Sequence, residues 1–203
     1  MSTASDACAW LVDLDGTLYH AAPVKAAMAL ELAAAGLRVA PLLRRFRAEH
    51  ERVRAEAAPA DPFARQLAGA ALALGVEPAT LHGVVEEWMF RRPGKWLRLA
   101  RRRSFLAELA AFRAAGGRAA LVSDYPARDK LEALGVTALF DTVVACGEPG
   151  GPRSMKPSPE GVLSAAARLG VAPALCLVIG DREDADGEAA KRAGMRFRRI
   201  AGL

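Results

Sequence analysis

The chain has 203 residues, of which 52% are hydrophobic and 25% are charged, a globular composition that argues against wholesale disorder. This length fits one compact domain, or a core with a smaller inserted domain. The net charge of +5 comes largely from arginine and favours anionic partners without selecting among them.

Three sequence features bear on the cellular compartment. The three cysteines form no closely spaced metal pattern, and their odd number indicates reduced thiols rather than a disulfide framework. The N-terminus lacks a basic segment followed by a long apolar one, so no signal peptide is expected. Lys25, Glu31 and Arg38 interrupt the apolar window 21–43, which is too charged for a membrane span. We therefore expect a cytoplasmic protein with no membrane contact.

The first predicted element is an apolar strand, residues 9–12, which leads directly into Asp13 and Asp15. Side chains alternate along a strand, so both carboxylates project to the same side if the extended conformation continues. Gly16 then allows a sharp turn. Two adjacent carboxylates are costly unless a cation or a proton joins them. By itself this pattern is more typical of an acidic turn after a buried strand, so a functional interpretation depends on what the rest of the chain supplies.

The following 70 residues show helical spacing. Four helices are predicted: from Pro23 to about 35, from Pro41, from Asp61 to near Gly75, and from Glu77 to just before Pro93. No convincing strand interrupts this region, which is long enough for a small helical bundle.

From residue 96 onward, predicted helices alternate with predicted strands. The strands are 118–122, 142–145, 174–179 and 195–200, and the helices lie near 104–115, 126–134, 159–170 and 187–193. Strands that are apolar on both faces and alternate with helices indicate an α/β fold with a doubly wound, parallel, Rossmann-like sheet. The helical region is then an insertion after the first strand.

Ligands of doubly wound sheets bind beyond the carboxyl ends of the strands. Ser123 follows the second predicted strand and Lys156 lies in the loop after the third. Asp181 follows the fourth strand, with Asp184 and Asp186 close behind. Several acids at one sheet edge repel each other unless a divalent cation lies among them, and oxygen ligands suit magnesium.

Four motifs occur in order: Asp-Leu-Asp-Gly-Thr-Leu, Leu-Val-Ser, Lys-Pro, and Ile-Gly-Asp with a further Asp. This set resembles the haloacid dehalogenase superfamily of aspartate-nucleophile phosphohydrolases, and it spans residues 9–194. The resemblance implies that residues 1–19 and 96–203 form a Rossmann-like catalytic core. It implies that residues 20–95 form a cap domain of the all-helical type.

The resemblance also implies catalytic roles. Asp13 would be the nucleophile, forming an aspartyl-phosphate, and Asp15 the general acid and later the general base. Ser123 and Lys156 would bind the phosphoryl oxygens. Asp15 favours phosphoryl transfer, because the family's dehalogenases lack an acid at that place.

A magnesium site is implied in the same way. Asp13, Asp181 and the backbone carbonyl of Asp15 would bind Mg²⁺, together with a second acid of the fourth motif. Asp186 matches the longer spacing that the family uses and is preferred for that place. Asp184, three residues after the first acid, is expected to be an accessory or a helix cap.

The expected activity is Mg²⁺-dependent hydrolysis of a small phosphorylated metabolite through an aspartyl-phosphate. A phosphomutase of the same superfamily is one alternative, and a non-enzymatic basic protein that binds nucleic acid or a protein partner is another. The arginines are scattered and lack interleaved aromatic residues, so we expect no nucleic-acid binding. The sequence carries no signal for the oligomeric state.

Three arginines on the second predicted helix have two interpretations. Arg44, Arg45 and Arg47 have the chemistry to present a fork to a second anionic group on the substrate. A solvated helix face, with Glu49 and Glu51 as nearby partners, explains them equally well. The sequence alone does not decide between the two.

Overall fold

The structure, a computed structural model, describes residues 7–56 and 61–200. Its centre is a five-stranded parallel sheet in the order β3-β2-β1-β4-β5. The strands are β1 (Ala9–Val12), β2 (Arg118–Ser123), β3 (Thr142–Ala145), β4 (Cys176–Gly180) and β5 (Arg196–Arg199). This confirms the predicted α/β fold with a parallel sheet. The strand order reverses between β1 and β4, where ligands of such sheets bind.

The register of the central strands determines which residues meet at that reversal. Val12 pairs with Leu121 of β2 and with Ile179 of β4. The backbone N–H of Asp13 donates to the Ile179 carbonyl at 2.9 Å, which extends the ladder by one residue. Asp13 and Asp181 therefore leave neighbouring strands at the same carboxyl edge.

Helices cover both faces of the sheet. Helices α6 (Arg103–Ala114) and α7 (Arg128–Leu134) pack on the face that carries Trp10 and Val12. Helices α8 (Glu160–Leu169) and α9 (Glu188–Arg192) pack on the face that carries Leu11. Successive residues of β1 thus point into two different apolar clusters, which is why the strand is apolar throughout.

The segment between β1 and β2 is helical, as predicted. It contains α1 (Ala21–Ala35), α2 (Ala40–Ala55), α3 (Pro62–Leu74), α4 (Pro78–Val85), a π-helical turn (Glu86–Arg91) and α5 (Gly94–Leu99). The Asp61 side chain accepts from the Phe63 N–H at 3.0 Å and so caps α3. Helices α2–α4 and the π-helical turn surround an apolar cluster of their own that includes Phe46, Phe63 and Leu81.

The structure differs from the sequence prediction around residue 90. The fourth helix was expected to continue to Pro93, but α4 ends at Val85 and a π-helical turn follows, with Arg92 N–H bonded to the Glu87 carbonyl at 2.9 Å. Helix α5, which was not predicted, then begins because the Pro93 carbonyl accepts the N–H of Leu97 at 2.9 Å. Proline is tolerated at this position because the first turn of a helix needs no amide donor there.

None of the helices in the described part of the chain is, by itself, long and apolar enough to cross a membrane. Taken together, Pro62–Leu74 and Pro78–Leu99 reach the required length and composition, but that pair is bent by 115°.

Candidate active site

Three of the predicted site carboxylates meet at the carboxyl edge of the sheet. One carboxylate oxygen from each of Asp13, Asp181 and Asp186 lies within 4.8 Å of the other two. Asp13 follows β1 and Asp181 follows β4, whereas Asp186 lies in a π-helical turn, Glu183–Gly187, just before α9. Asp186 is only 2% exposed, so its charge requires a partner within the protein.

Lys156 supplies a cation to this group. Its ammonium donates to Asp13 Oδ1 at 2.5 Å and to Asp186 Oδ1 at 2.6 Å. The backbone N–H of Lys156 donates to Asp124 Oδ1 at 2.9 Å, which ties the loop after β3 to the end of β2. One buried ammonium thus bridges two carboxylates that come from the first and fourth motifs.

The pKa shifts show that this ammonium does not offset all the negative charge. Burial, with a smaller contribution from Asp186, raises the pKa of Asp13 to about 8 against the opposing effect of Lys156. Burial and Asp186 also raise the pKa of Asp181. For Lys156, burial favours the neutral amine, but Asp13 and Asp186 outweigh it and raise the pKa well above its usual range. A divalent cation among the three carboxylates would remove the remaining repulsion.

Asp15 has partners of its own, outside the three-carboxylate group. The Lys130 ammonium lies 2.7 and 2.8 Å from its two oxygens, and the Tyr19 hydroxyl donates to Oδ1 at 2.5 Å. Burial opposes ionisation of Asp15, but Lys130 and the Tyr19 hydrogen bond outweigh it and hold the pKa below its usual value. The pKa of Asp15 is thus lowered, whereas the pKa of Asp13 is raised. The two carboxylates of the first motif therefore lie in different electrostatic environments.

Ser123 and Thr17 complete the polar surface beside Asp13. Ser123, the last residue of β2, is buried, and its Oγ accepts from the Tyr125 N–H at 3.1 Å. The Thr17 hydroxyl donates to Asp13 Oδ2 at 3.1 Å. Ser123 lines the same cavity as Asp13 and Lys156. The structure thus places Ser123 and Lys156, both predicted to bind phosphate, in the cavity that Asp13 lines.

Asp184 lies apart from the carboxylate group. Its side chain is 70% exposed and pairs with Arg182 Nη2 at 2.5 Å. The Arg182 hydrogen bond lowers the pKa of Asp184. Of the two candidates for the second acid of the fourth motif, the structure places Asp186 beside Asp13 and Asp184 at the surface.

Two glycines allow the carboxylates to come this close to the backbone. Gly16 has φ +90°, and a Cβ there would lie 2.2 Å from Asp181 Oδ2. A Cβ on Gly180 would lie 2.2 Å from Asp186 Oδ2. Both glycines are therefore needed for close approach, and Gly16 for its backbone conformation as well.

A cavity of about 720 Å³ covers this edge of the sheet. Asp13, Asp15, Ser123 and Lys156 line one side of it. Residues of α1 and α2, among them Arg44, Arg47 and Arg54, line the other side. This volume lies within the range typical of small-molecule sites.

Lys130, which is only 6% exposed, is not among the residues that the sequence motifs predict for the site. One signal for it was available. Ala127, Leu131 and Leu134 form the buried stripe of α7, and Lys130 falls on the same face. Lysine is rarely buried without a charged partner, so a lysine in such a stripe predicts a buried acid opposite it.

The helical segment contacts the sheet edge through a buried polar network. The rings of His50 and Tyr125 stack at 4.7 Å, and Gln66 Nε2 donates to the Tyr125 hydroxyl at 3.2 Å. His50 Nδ1 lies 3.2 Å from Gln66 Oε1. Burial, together with the charge of Arg54, lowers the pKa of His50. This network joins α2 and α3 to the loop after β2.

Comparison with known proteins gives two findings from sequence. A family model described as haloacid dehalogenase-like hydrolase matches residues 9–194. A curated glyceraldehyde 3-phosphate phosphatase from Methanopyrus kandleri is 43% identical over 72 residues, which are 36% of this chain and 30% of that protein. The second match therefore spans under a third of its relative.

Solved structures give two further findings. An L-2-haloacid dehalogenase from Xanthobacter autotrophicus is similar with a TM-score of 0.68 and 22% identity, over 97% of this chain and 78% of that one. A magnesium-bound structure assigned as a HAD-hydrolase from Bacillus subtilis is similar with a TM-score of 0.65 and 15% identity. The match covers 96% of this chain and 88% of that one. At these identities, the structural matches establish the fold alone.

Proposed function

The chain belongs to the haloacid dehalogenase-like hydrolases, and from that premise we propose that it is a magnesium-dependent phosphatase acting on a small phosphorylated metabolite. The observation that carries this proposal is that Asp13 and Asp15 line one cavity but pair with different lysines. Asp13 lies among the clustered carboxylates and Lys156, whereas Asp15 is held separately by Lys130. Two carboxylates in different environments are what a nucleophile and an acid–base pair require.

In the first step, a carboxylate oxygen of Asp13 attacks phosphorus. The bond from phosphorus to the ester oxygen breaks, and Asp15 donates a proton to that leaving oxygen. Asp15 must carry a proton at this moment, although Lys130 favours its ionised form. The negative charge of a phosphoryl group bound beside Asp15 raises the pKa of Asp15, so that Asp15 takes up a proton from solvent when substrate is bound.

In the second step, water attacks phosphorus and the bond to Asp13 breaks. Asp15, now ionised, takes a proton from that water, and Lys130 stabilises the ionised form. Lys156 and the Ser123 hydroxyl bind phosphoryl oxygens in both steps. The Thr17 hydroxyl holds Asp13 in one orientation, which limits the motion of the nucleophile.

The carboxylates present fit a magnesium ion. Asp13, Asp181 and Asp186 offer hard oxygen ligands within 4.8 Å of one another, and their charge exceeds what Lys156 offsets. These three side chains would hold the ion, together with the backbone carbonyl of Asp15. When bound, magnesium orients the phosphoryl group and neutralises charge that develops on it. The magnesium in the Bacillus subtilis structure supports this assignment.

We further propose that residues 20–95 act as a cap over a catalytic core of residues 1–19 and 96–203. The separate apolar cluster of α2–α4 supports this division, because such a cluster lets the helices move as a unit. The position of the cavity between α1–α2 and the sheet edge also supports it. A cap that closes over the cavity excludes water from the phosphoryl group.

Phosphate release from p-nitrophenyl phosphate with Mg²⁺ tests the proposal. We expect release by the parent protein and none by the Asp13→Asn protein. Robust turnover by the Asp13→Asn protein would contradict the assignment of the nucleophile. Assaying free phosphate against isomerised sugar phosphate separates a phosphatase from a phosphomutase, which returns the phosphoryl group to a second site on the substrate.

A further inference from the structure

The cavity-facing side of α2 is cationic. Arg44, Arg47, Glu51 and Arg54 are spaced three, four and three residues apart, so they lie on one face of the helix. All four line the cavity that also contains Asp13. Three of these four side chains are arginines, and they line the same cavity as the proposed phosphoryl site.

Arg44 and Arg47 have no charged or hydrogen-bonding side-chain partner in the described part of the chain. Across residues 7–56 and 61–200, neither forms an ion pair or a side-chain hydrogen bond, and the same holds for Lys25 of α1, which also lines the cavity. Other arginines of the helical segment do have carboxylate partners: Arg45 and Arg52 with Glu49, Arg65 with Glu56, and Arg92 with Glu87. Acids are therefore available in this segment, yet none of those described pairs with Arg44, Arg47 or Lys25.

The Arg54 side chain is more buried than those of Arg44 and Arg47. Its guanidinium pairs with Glu51 at 3.3 Å and with Asp124 at 3.5 Å. Its Nε is buried and has no hydrogen-bond partner among the described residues. The Nη2 atom of Arg54 also lies 2.9 Å from His50 Nε2. These contacts fix the guanidinium in the cavity wall, where its positive charge adds to that of Arg44 and Arg47.

We propose that Arg44, Arg47 and Arg54 form a second anion subsite, so that the preferred substrates are phosphomonoesters with a further carboxylate or phosphate. This inference rests on the proposed function, because the scissile phosphoryl group is assigned to Asp13 and Lys156. Guanidinium groups bind carboxylate and phosphate oxyanions in the same forked geometry. The substrate's second oxyanion therefore binds on α2 while its phosphoryl group lies against the sheet edge.

The shape of the site selects a small dianionic molecule over a polyanion. The cations line a cavity of about 720 Å³ rather than an open surface, so an extended nucleic-acid backbone does not match them. Lys25, Arg44 and Arg47 line the cavity without an ion-pair partner among the described residues, and such cations raise the local concentration of anionic substrate. The name of the curated relative refers to glyceraldehyde 3-phosphate, which has no second anionic group. The subsite therefore predicts a different preference for this chain.

Matched substrate pairs test the subsite. With Mg²⁺ present, 3-phosphoglycerate is compared with glycerol 3-phosphate, and fructose 1,6-bisphosphate with fructose 6-phosphate. We expect the parent protein to favour the charged member of at least one pair by about tenfold in kcat/KM, the effect of one charge-assisted hydrogen bond. The pair that shows the preference identifies the second group as a carboxylate or a phosphate.

Substitutions then assign the preference to α2. Arg44→Met and Arg47→Met are each expected to raise KM for the charged substrate about tenfold. The KM for glycerol 3-phosphate should change by less than about twofold. Arg38→Met is the matched control, because Arg38 is an exposed cation of the same helical segment that does not line the cavity. Circular dichroism confirms that each variant is folded.

Failure of the inference is distinguishable from failure of the proposed function. If the parent hydrolyses both members of each pair equally, or Arg44→Met and Arg47→Met behave like Arg38→Met, the subsite is refuted and the phosphatase assignment stands. If no ester is hydrolysed, the phosphatase assignment fails. Calorimetric binding of 3-phosphoglycerate, glycerol 3-phosphate and the two fructose phosphates to the Asp13→Asn protein then decides the subsite without turnover. Equal affinity within both pairs refutes it, and tighter binding of the charged member of either pair supports it.

Discussion

The Lys130 ammonium donates to both carboxylate oxygens of Asp15, at 2.7 and 2.8 Å, across 115 positions of sequence. Lys130 is buried on α7, and its ammonium also lies 5.7 Å from the Phe90 ring of the π-helical turn. The Tyr19 hydroxyl holds the same carboxylate from the β1 side. The proposed acid–base group is thus fixed by two residues that sequence motifs did not identify.

Replacing Lys130 is expected to change the pH dependence of catalysis. The pKa of Asp15 is held low despite burial by Lys130 and Tyr19, so Lys130→Met leaves a buried carboxyl without its cation and raises that pKa. The limb of the kcat–pH profile that requires ionised Asp15 then moves to higher pH, and kcat near neutrality falls by about tenfold or more. The full profile, measured for parent and variant, checks this expectation.

Tyr19→Phe is the matched control for Lys130→Met, because it removes only a hydrogen bond to Asp15. Its profile should shift in the same direction by a smaller amount. An unchanged profile in Lys130→Met, with normal folding, would show that Lys130 has no effect on the acid–base group.

The two acids of the fourth motif are expected to respond differently to substitution. Asp186→Asn removes a carboxylate from the three-residue group and a partner from Lys156. It should raise the Mg²⁺ concentration for half-maximal activity by at least about tenfold. Asp184→Asn should change that Mg²⁺ concentration by less than about twofold. The Asp184 side chain is 70% exposed and pairs only with Arg182 among the described residues. Mg²⁺ titration of the two variants measures this, and similar effects in both would contradict the site.

Magnesium is expected to stabilise the folded protein. A ligand that binds only the folded state at 100 times its dissociation constant adds about 2.7 kcal/mol, or roughly 5 to 10 °C in melting temperature for a chain of this size. Thermal unfolding in MgCl₂, against NaCl of equal ionic strength, measures the shift. Asp181→Asn should lose most of it. An equal shift in Asp181→Asn would place the ion elsewhere.

The buried His50 is expected to make stability depend on pH. Burial, followed by the charge of Arg54, lowers its pKa in the folded state, while the Gln66 hydrogen bond, Asp124 and Glu51 oppose this. Between about pH 6.5 and the lower pKa of the folded state, the unfolded chain binds a proton that the folded chain does not, so the free energy of unfolding falls as the pH drops through that interval. Above about pH 6.5, His50 does not make the free energy of unfolding depend on pH.

His50→Phe checks this, because phenylalanine preserves an aromatic ring beside Tyr125 without a titrating group. Urea unfolding at pH 7.5 and 5.5 should show a smaller pH effect in the variant than in the parent. An equal pH effect in both proteins would show that His50 is not the group responsible.

The parts of the fold that local sequence determines were predicted well. The strand at 9–12 coincides with β1 because an uninterrupted apolar run needs burial on both faces. Helix α3 begins and ends as expected, since Asp61 caps its first turn and Gly75 adopts φ +64° after its last. The π-helical turn and α5 were not predicted, because tertiary packing of Phe90 and Leu97 decides them rather than local periodicity.

The site likewise has features that the local sequence predicts and features that depend on tertiary packing. That Asp13 and Asp181 converge follows from the parallel sheet, whose strands end at one edge. The spacing of α7 predicts a buried acid opposite Lys130, but that this acid is Asp15 depends on how α7 packs against the end of β1. Arg44 and Arg45 are neighbours in sequence, but only the helix orientation places one in the cavity and the other beside Glu49.

Direct detection of the phosphoenzyme tests the central claim most directly. Asp15→Asn protein is mixed with p-nitrophenyl phosphate and Mg²⁺, quenched in acid and analysed by peptide mass spectrometry. This substrate's leaving group needs little protonation, so the intermediate forms, but its hydrolysis is slow without the base. We predict that the peptide containing Asp13 gains the mass of one phosphoryl group. A phosphoryl group on a different residue, or none at Asp13 while the parent protein turns over, would contradict the account.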